Sequence, residues 1–194
     1  MRVARSLKIA AVILSHAGTA ACTLPMGHVS AIRIQRVEWS AVDKGGLRGD
    51  CCSRMEWMRV DFVSDMDYAR VARRDIHSYI YYGWCPIDID HRLGVARLLT
   101  ENGPLDEKTA VVPTSSDAGH PLYAYHGFFP VSVPARRYVR PGEGDGAYDL
   151  RQAKQDFCIA VAGGKMWTGR HGQSTGGVVP KAALNNATHA SRRE

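Results

Sequence analysis

The stretch MRVDFVSDMDYARVA, residues 58–72, contains both kinds of secondary structure that we expect in this chain. Residues 58–62 alternate between apolar and polar side chains, which predicts a β-strand with one face in the core. The following Ser64-Asp65-Met66-Asp67 has the spacing of a capping box, so a short helix with Tyr68 on its buried face is predicted to begin there. A strand followed at once by a short helix indicates a fold of short, mixed elements.

Most of the remaining chain is predicted to form short strands. The segment IRIQRVEW, residues 32–39, alternates apolar and polar residues but changes phase near Arg36, which predicts a strand with a bulge. Further strands are predicted at 76–84, 121–133 and 156–162, whereas 91–101 fits a helix or a strand. The long alternating helices of a parallel Rossmann-type sheet are missing. We therefore predict a mainly β to α+β fold, an antiparallel β-sandwich-like single domain with one or two short helices.

The first 21 residues have the three-part order of a secretory signal peptide. Three basic residues, at positions 2, 5 and 8, precede the apolar residues 9–14, and small residues follow at 18–21. The apolar stretch is shorter than the roughly 20 residues of a spanning helix. We predict that residues 1–21 direct export and are removed; a buried N-terminal strand or helix is the alternative.

Residues Thr19-Ala20-Ala21-Cys22 resemble the lipobox of bacterial lipoproteins. The resemblance implies that Cys22 begins the mature chain and carries lipid on its sulfur, with the protein held at the outer membrane and facing the periplasm. Cleavage after Ala21 without lipidation is the alternative. We accordingly predict a short tether at 22–28, one disulfide-linked β-rich domain at 29–184 and a polar C-terminal tail at 185–194.

The charge of the chain depends on this processing. Removal of residues 1–21 leaves 173 of the 194 residues, and the formal net charge falls from +6 to +3 because three basic residues are lost. The remaining arginines are interspersed with acidic residues, and no basic stripe with interleaved aromatic residues is present. We predict no nucleic-acid partner, and membrane contact only through the lipid anchor.

Four cysteines follow Cys22, and an oxidising compartment favours disulfides among them. Cys51 and Cys52 are adjacent, so their α-carbons lie about 3.8 Å apart, which is shorter than a relaxed disulfide usually spans. We therefore predict that one of them bonds to Cys85 and the other to Cys158, in either arrangement. A zinc site is disfavoured because the cysteines lack paired C-x-x-C spacing.

Two stretches have residue types used in catalysis. Residues 172–176 match G-x-S-x-G, the nucleophile elbow of α/β-hydrolases, with His171 beside Ser174. That motif requires a strand before it and a helix after it, and the flanking sequence predicts a Gly-rich loop between strands instead. Asp88, Asp90 and His91 offer carboxylate and imidazole groups, but a solvated edge is the favoured interpretation. We predict no catalytic residue, metal or cofactor.

The segment YIYYGW, residues 79–84, is the strongest candidate for an interaction surface. As a strand, it has Tyr79 and Tyr81 on one face and Ile80, Tyr82 and Trp84 on the other. Exposed tyrosines are favoured at protein interfaces. The alternative, a strand buried on both faces in a two-layer sandwich, is the favoured interpretation.

Two functional hypotheses follow. The first is a noncatalytic, envelope-anchored protein-binding module whose partner is another envelope protein. In architecture alone this resembles periplasmic immunity lipoproteins, which implies an inhibitor of a delivered toxin. The second is a secreted hydrolase or carbohydrate-acting enzyme that uses Asp88, Asp90 and His91, or Ser174 and His171. An exposed aromatic patch favours the first, and a pocket with perturbed titratable groups favours the second.

Overall fold

The structure is a computed structural model that describes residues 24–44, 55–87, 92–134, 147–165 and 170–190. The predicted signal peptide, Cys22, the Cys51–Cys52 pair and residues 88–91 lie outside these ranges. None of the described helices has the length and apolarity needed to cross a membrane.

The described strands form two large sheets and one small one. The larger sheet has seven strands and runs in the order β13-β1-β2-β8-β5-β6, with β7 also paired to β8. Its strands are β1 (His28–Val37), β2 (Trp57–Ser64), β5 (Leu99–Thr100), β6 (Gly103–Pro104), β7 (Ser115–Asp117), β8 (His120–Pro130) and β13 (Thr175–Gly176). All of these pairings are antiparallel except the one between β1 and β13.

The second large sheet has five described strands, in the order β12-β11-β3-β4, with β14 paired to β11. Its strands are β3 (His77–Trp84), β4 (Gly94–Arg97), β11 (Phe157–Lys165), β12 (Arg170–Gln173) and β14 (Val178–Val179), and they are all antiparallel. Two short strands, β9 (Ser132–Val133) and β10 (Tyr148–Asp149), form a separate antiparallel pair.

The core lies between the two large sheets. Alternate residues of β2, namely Met58, Val60 and Phe62, belong to the same buried cluster as Ile80 of β3 and Ile159 of β11. A β-carbon at Gly127 would collide with the Ile80 side chain, so the two sheets are in close contact there. The predicted mainly-β to α+β, antiparallel sandwich-like domain is confirmed.

Three α-helices, rather than the predicted one or two, lie in the described residues. They are α1 (Trp39–Lys44), α2 (Tyr68–Ala72) and α3 (Lys181–His189), and a 3₁₀ turn spans Leu150–Gln152. Val42 of α1 packs with Trp57, Leu99 and Phe128 in a second apolar cluster on the outward side of the larger sheet. Helix α1 therefore covers one end of that side.

Two local predictions require correction. The bulge in β1 lies between Ser30 and Arg33 rather than near Arg36, and Ala31 there has a positive φ of 49°. The N-cap of α2 is Asp67 rather than Ser64, because the Asp67 carboxylate accepts a hydrogen bond from the Arg70 amide at 3.0 Å. The capping residue thus sits directly before the helix, where its oxygen reaches the free N–H groups.

The folded part extends beyond the predicted boundaries of 29 and 184. Met26 is 1% exposed and belongs to the core, so this part of the predicted tether is packed against the domain. Helix α3 continues to His189, and Thr188, which is 2% exposed, donates a hydrogen bond to the Asn185 carbonyl. Residues 185–189 are therefore helix rather than tail.

The disulfide joins Cys85 to Cys158, whose α-carbons lie 5.1 Å apart. Strands β3 and β11 are neighbours, with Gly83 directly opposite Cys158, and the Cys85 amide donates to the Asp156 carbonyl at 3.1 Å. The predicted arrangement, in which Cys51 and Cys52 take these two partners separately, is wrong, because the β3–β11 pairing brings Cys85 and Cys158 to each other.

Candidate functional site

The predicted interface tyrosines lie on the outward side of the five-stranded sheet. Tyr79 is 44% exposed, and Tyr81 is half-buried beneath the Arg92 guanidinium, whose central carbon lies 4.9 Å from the ring centroid. Ile80 and Tyr82, which alternate with them, are buried in the core. The strand is therefore buried on one face only, and the alternative of a fully buried strand is wrong.

Strand register defines the neighbours of these tyrosines. Val95 lies directly opposite Tyr81, and Arg97 lies opposite Tyr79, on β4. Small alanines occupy the equivalent positions on β11, and Val178 of β14 pairs with Cys158 farther along the same side. We call this surface the tyrosine face; it consists of Tyr79, Tyr81, Val95, Arg97, Ala160, Ala162 and Val178.

Exposed apolar side chains are concentrated on the tyrosine face. Among the described residues, the large apolar side chains that remain exposed are Tyr79, Val95, Val112 and Val178. Three of these four belong to the tyrosine face, since residues directly opposite each other in a sheet point to the same side. Ala160 and Ala162, which lie opposite Tyr81 and Tyr79 on β11, are only 1% and 3% exposed and add no exposed apolar area. The exposed apolar side chains of the described residues are therefore found mainly on one side of one sheet, and such a concentration is a feature of interaction surfaces.

One end of the tyrosine face has two histidines. His77 and His171 lie on either side of Gly164, which pairs with both, and both are exposed. Arg97, opposite Tyr79, adds a positive charge to this side of the sheet.

A second polar cluster lies on the outward side of the larger sheet. We call it the Asp61 cluster; it consists of Arg59, Asp61, Glu101 and His126. Asp61 of β2 lies directly opposite His126 of β8. The Arg59 guanidinium donates to Asp61 Oδ1 at 2.7 Å and to Glu101 Oε1 at 3.0 Å. One arginine therefore connects two carboxylates beside a histidine.

His126 is the buried member of the Asp61 cluster. Its side chain is 9% exposed, its ring packs edge-on against Phe128, and its Nδ1 lies 3.9 Å from Glu101 Oε1. Burial lowers the pKa of His126, and the nearby positive charge of Arg59 lowers it further. Asp61, Glu101 and His126 each offer one possible ligand atom, and these three atoms lie within 4.8 Å of one another. Within the described ranges, this is the group of three side chains that could hold a metal ion.

Sequence reasoning missed the Asp61 cluster. The alternation of residues 58–62 correctly assigns Arg59 and Asp61 to the polar side of β2. This alternation was the one sequence feature that pointed towards the cluster. Their proximity to His126 depends on the pairing of β2 with β8, which are 65 residues apart at this position. Periodicity within one strand carries no information about its neighbour.

Ser174 has a structural role rather than that of a nucleophile. It is 5% exposed, its hydroxyl accepts the Val161 amide hydrogen bond at 2.9 Å, and its own amide donates to the Val161 carbonyl. The short strand β13 follows it where a nucleophile elbow needs a helix. His171 lies three residues earlier on β12, so strand alternation directs it to the other side of the sheet.

The glycines of this motif also have structural explanations. A β-carbon at Gly172 would collide with the Leu24 carbonyl, and Gly176 has a positive φ of 80°. Both positions exclude larger side chains for reasons of backbone packing. The G-x-S-x-G pattern is therefore explained without catalysis.

Comparisons with known proteins assign no family to this chain. No protein-family model, curated protein or solved structure matches it significantly. Functional hypotheses for the chain therefore depend on the geometry of the tyrosine face and of the Asp61 cluster.

Proposed function

We propose that this chain is a noncatalytic protein-binding module of the bacterial envelope and that the tyrosine face is its binding surface. The observation that carries the proposal is the gathering of Tyr79, Val95 and Val178, each between 44% and 51% exposed, on one side of one sheet. If a partner buried these side chains, the complex would be stabilised by about 25 cal/mol for each Å² of apolar area removed from water.

The composition of the tyrosine face suits a protein partner. Tyrosine and arginine are enriched at interfaces, because they combine apolar contact area with hydrogen-bonding groups. The rigid sheet beneath them reduces the entropy lost on binding. The positive charge of Arg97 on this side favours a partner with acidic groups around an apolar centre.

The attachment to the envelope is proposed from the sequence of residues 1–22. The proposal is that cleavage makes Cys22 the first residue and that lipid holds the domain at the outer membrane, facing the periplasm. Mass spectrometry of the N-terminal peptide from an envelope fraction tests it: an acylated Cys22 is expected, and an N-terminus elsewhere, or a free Cys22 thiol, would contradict it.

The narrower proposal is that the domain neutralises a toxin delivered by neighbouring bacteria. It rests on architecture alone, a small domain on a lipid tether with an exposed binding face. A neighbouring gene for a phospholipase or a peptidoglycan hydrolase would identify the partner to test. The purified domain is then expected to inhibit that enzyme, and unchanged activity at saturating domain would rule the narrower proposal out.

The hydrolase alternative receives no support from the described residues. The Ser174 hydroxyl is buried and already accepts a hydrogen bond, and His171 points to another side of the sheet. Asp88, Asp90 and His91 lie outside the described residues. A binding role is therefore the better-supported proposal.

A triple substitution tests the binding role. Tyr79→Ser, Val95→Ser and Val178→Ser together should lower the melting temperature only modestly and leave the domain folded, because about half of each side chain is solvent-exposed. The affinity for the partner should fall at least about tenfold, since exposed aromatic anchors dominate interface energies. Val112→Ser, which removes the exposed valine outside this face, is the matched control and should bind normally.

A further inference from the structure

We propose that Asp61, Glu101 and His126 bind a divalent transition-metal ion, for which Zn²⁺ is the best match to the ligand set. The site is independent of the tyrosine face, because it lies on the outward side of the other sheet. The proposal rests on the convergence of one imidazole and two carboxylates and on the environment of the histidine.

The three ligand atoms are near the spacing that a metal requires. They lie within 4.8 Å of one another. Ligands of a tetrahedral zinc ion lie about 2.0–2.2 Å from the metal and hence about 3.4 Å apart. Glu101 follows β5 at a turn, and its side chain is 77% exposed, so it can move by the remaining distance without disturbing the core.

His126 provides the second, independent indication of a ligand. Its side chain is about nine-tenths buried, and its ring makes no hydrogen bond to the described residues. The ring Nδ1 faces Glu101 at 3.9 Å, which is beyond hydrogen-bond distance. The ring is held edge-on by Phe128 while Nδ1 is directed at the carboxylate, so the imidazole is already oriented for coordination.

The chemistry of the ligands indicates the class of metal. Imidazole with carboxylates suits zinc and other first-row transition ions, whereas Mg²⁺ and Ca²⁺ prefer oxygen ligands alone. Three protein ligands leave a fourth position, and the exposure of Glu101 opens that position to solvent. The site therefore resembles an open three-ligand site rather than a closed structural one.

Arg59 would compete with the metal ion for the carboxylates of Asp61 and Glu101. Its guanidinium holds both carboxylates, so a metal binds only after Arg59 releases them. The Arg59 side chain is 25% exposed and can turn towards solvent. Removal of Arg59 should consequently tighten metal binding, an effect opposite to that expected for a residue that merely stabilises the fold.

Titration calorimetry with ZnCl₂ on the full mature chain tests the proposal, after alkylation of free thiols so that cysteines cannot bind zinc. Wild type should bind one zinc ion at this site. His126→Gln and Glu101→Gln should weaken binding by at least about tenfold. Arg59→Gln should strengthen it by a comparable factor. His171→Gln, which removes an exposed histidine elsewhere, is the matched control and should leave binding unchanged.

Co²⁺ provides a second readout, because its visible spectrum reports an imidazole–carboxylate environment. The spectrum should appear with wild type and be lost in Glu101→Gln, a substitution at an exposed side chain that leaves folding intact. The proposal is overturned if wild type shows no saturable zinc binding. It is equally overturned if both ligand variants bind zinc as tightly as wild type.

Discussion

The hydroxyl of Tyr125 accepts a hydrogen bond from the Tyr68 amide at 2.9 Å and donates one to the Met66 carbonyl at 3.1 Å. The two rings lie 5.0 Å apart between centroids, and the Tyr68 hydroxyl donates to the Met26 carbonyl at 2.7 Å. One pair of tyrosines thus joins the start of α2 to β8 and to the segment before β1. This contact fixes the N-terminal segment on the domain.

Tyr125→Phe should lower the free energy of unfolding by about 1–3 kcal/mol, because it leaves the buried Tyr68 amide and the partly buried Met66 carbonyl without their partner. Urea denaturation measures the change. Tyr123→Phe is the matched control: the Tyr123 hydroxyl has no hydrogen bond among the described residues, so its loss should have little effect. Equal stability of Tyr125→Phe and wild type would contradict this account of the contact.

Alkaline pH should unfold the domain. Burial raises the pKa of Tyr68, Tyr82, Tyr125 and Tyr148 above the ordinary value of about 10. The unfolded chain ionises first, so the stability that these neutral tyrosines contribute is complete below about pH 10 and is lost as the pH rises further.

Tyrosinate absorbance and far-ultraviolet circular dichroism, followed together during alkaline titration, measure this loss. The buried tyrosines should ionise in the same cooperative step in which the β-sheet signal disappears. If all tyrosines ionise while the β-sheet signal persists, the conclusion that these four tyrosines are buried is contradicted.

The disulfide should stabilise the domain appreciably. Cys85 and Cys158 are 73 residues apart, and closing a loop of that length is worth on the order of 4 kcal/mol in the chain-entropy description. Cys85→Ser/Cys158→Ser should therefore have a clearly lower melting temperature. Non-reducing peptide mapping should recover residues 85 and 158 in one cross-linked fragment; a fragment that links Cys51 or Cys52 to either of them would contradict the structure.

Ser174→Ala tests whether Ser174 is structural. The substitution removes the acceptor for the buried Val161 amide and should cost about 1–3 kcal/mol of stability. Ser116→Ala, at an exposed position of β7, should be neutral. An active-site serine probe should label neither the wild type nor either variant. Labelling that depends on Ser174 would revive the hydrolase hypothesis.

Features that depend on local sequence were predicted well. Alternation within residues 58–62 and 76–84 identified β2 and β3 and the side of β3 that carries Tyr79 and Tyr81. These predictions succeeded because side-chain periodicity is a property of nearby residues in the chain.

Features that depend on strand pairing were not predictable. The Cys85–Cys158 bond, the proximity of Asp61 to His126 and the position of Val178 beside Cys158 all arise from contacts between strands far apart in sequence. Four cysteines allow three pairings, and the only feature of the sequence that distinguished these pairings was the adjacency of Cys51 and Cys52. The choice of neighbouring strand, which decides the question, is made by packing of the whole core.

Site-specific photocrosslinking in intact cells tests the central claim that the tyrosine face binds a protein. A photoreactive phenylalanine derivative is introduced separately at Tyr79, Val95 and Val178, and at Val112 as the exposed control. We predict that one discrete adduct of the same mass forms at all three positions of the tyrosine face and does not form at position 112. No adduct from the face, or the same adduct with equal yield at position 112, would contradict the claim.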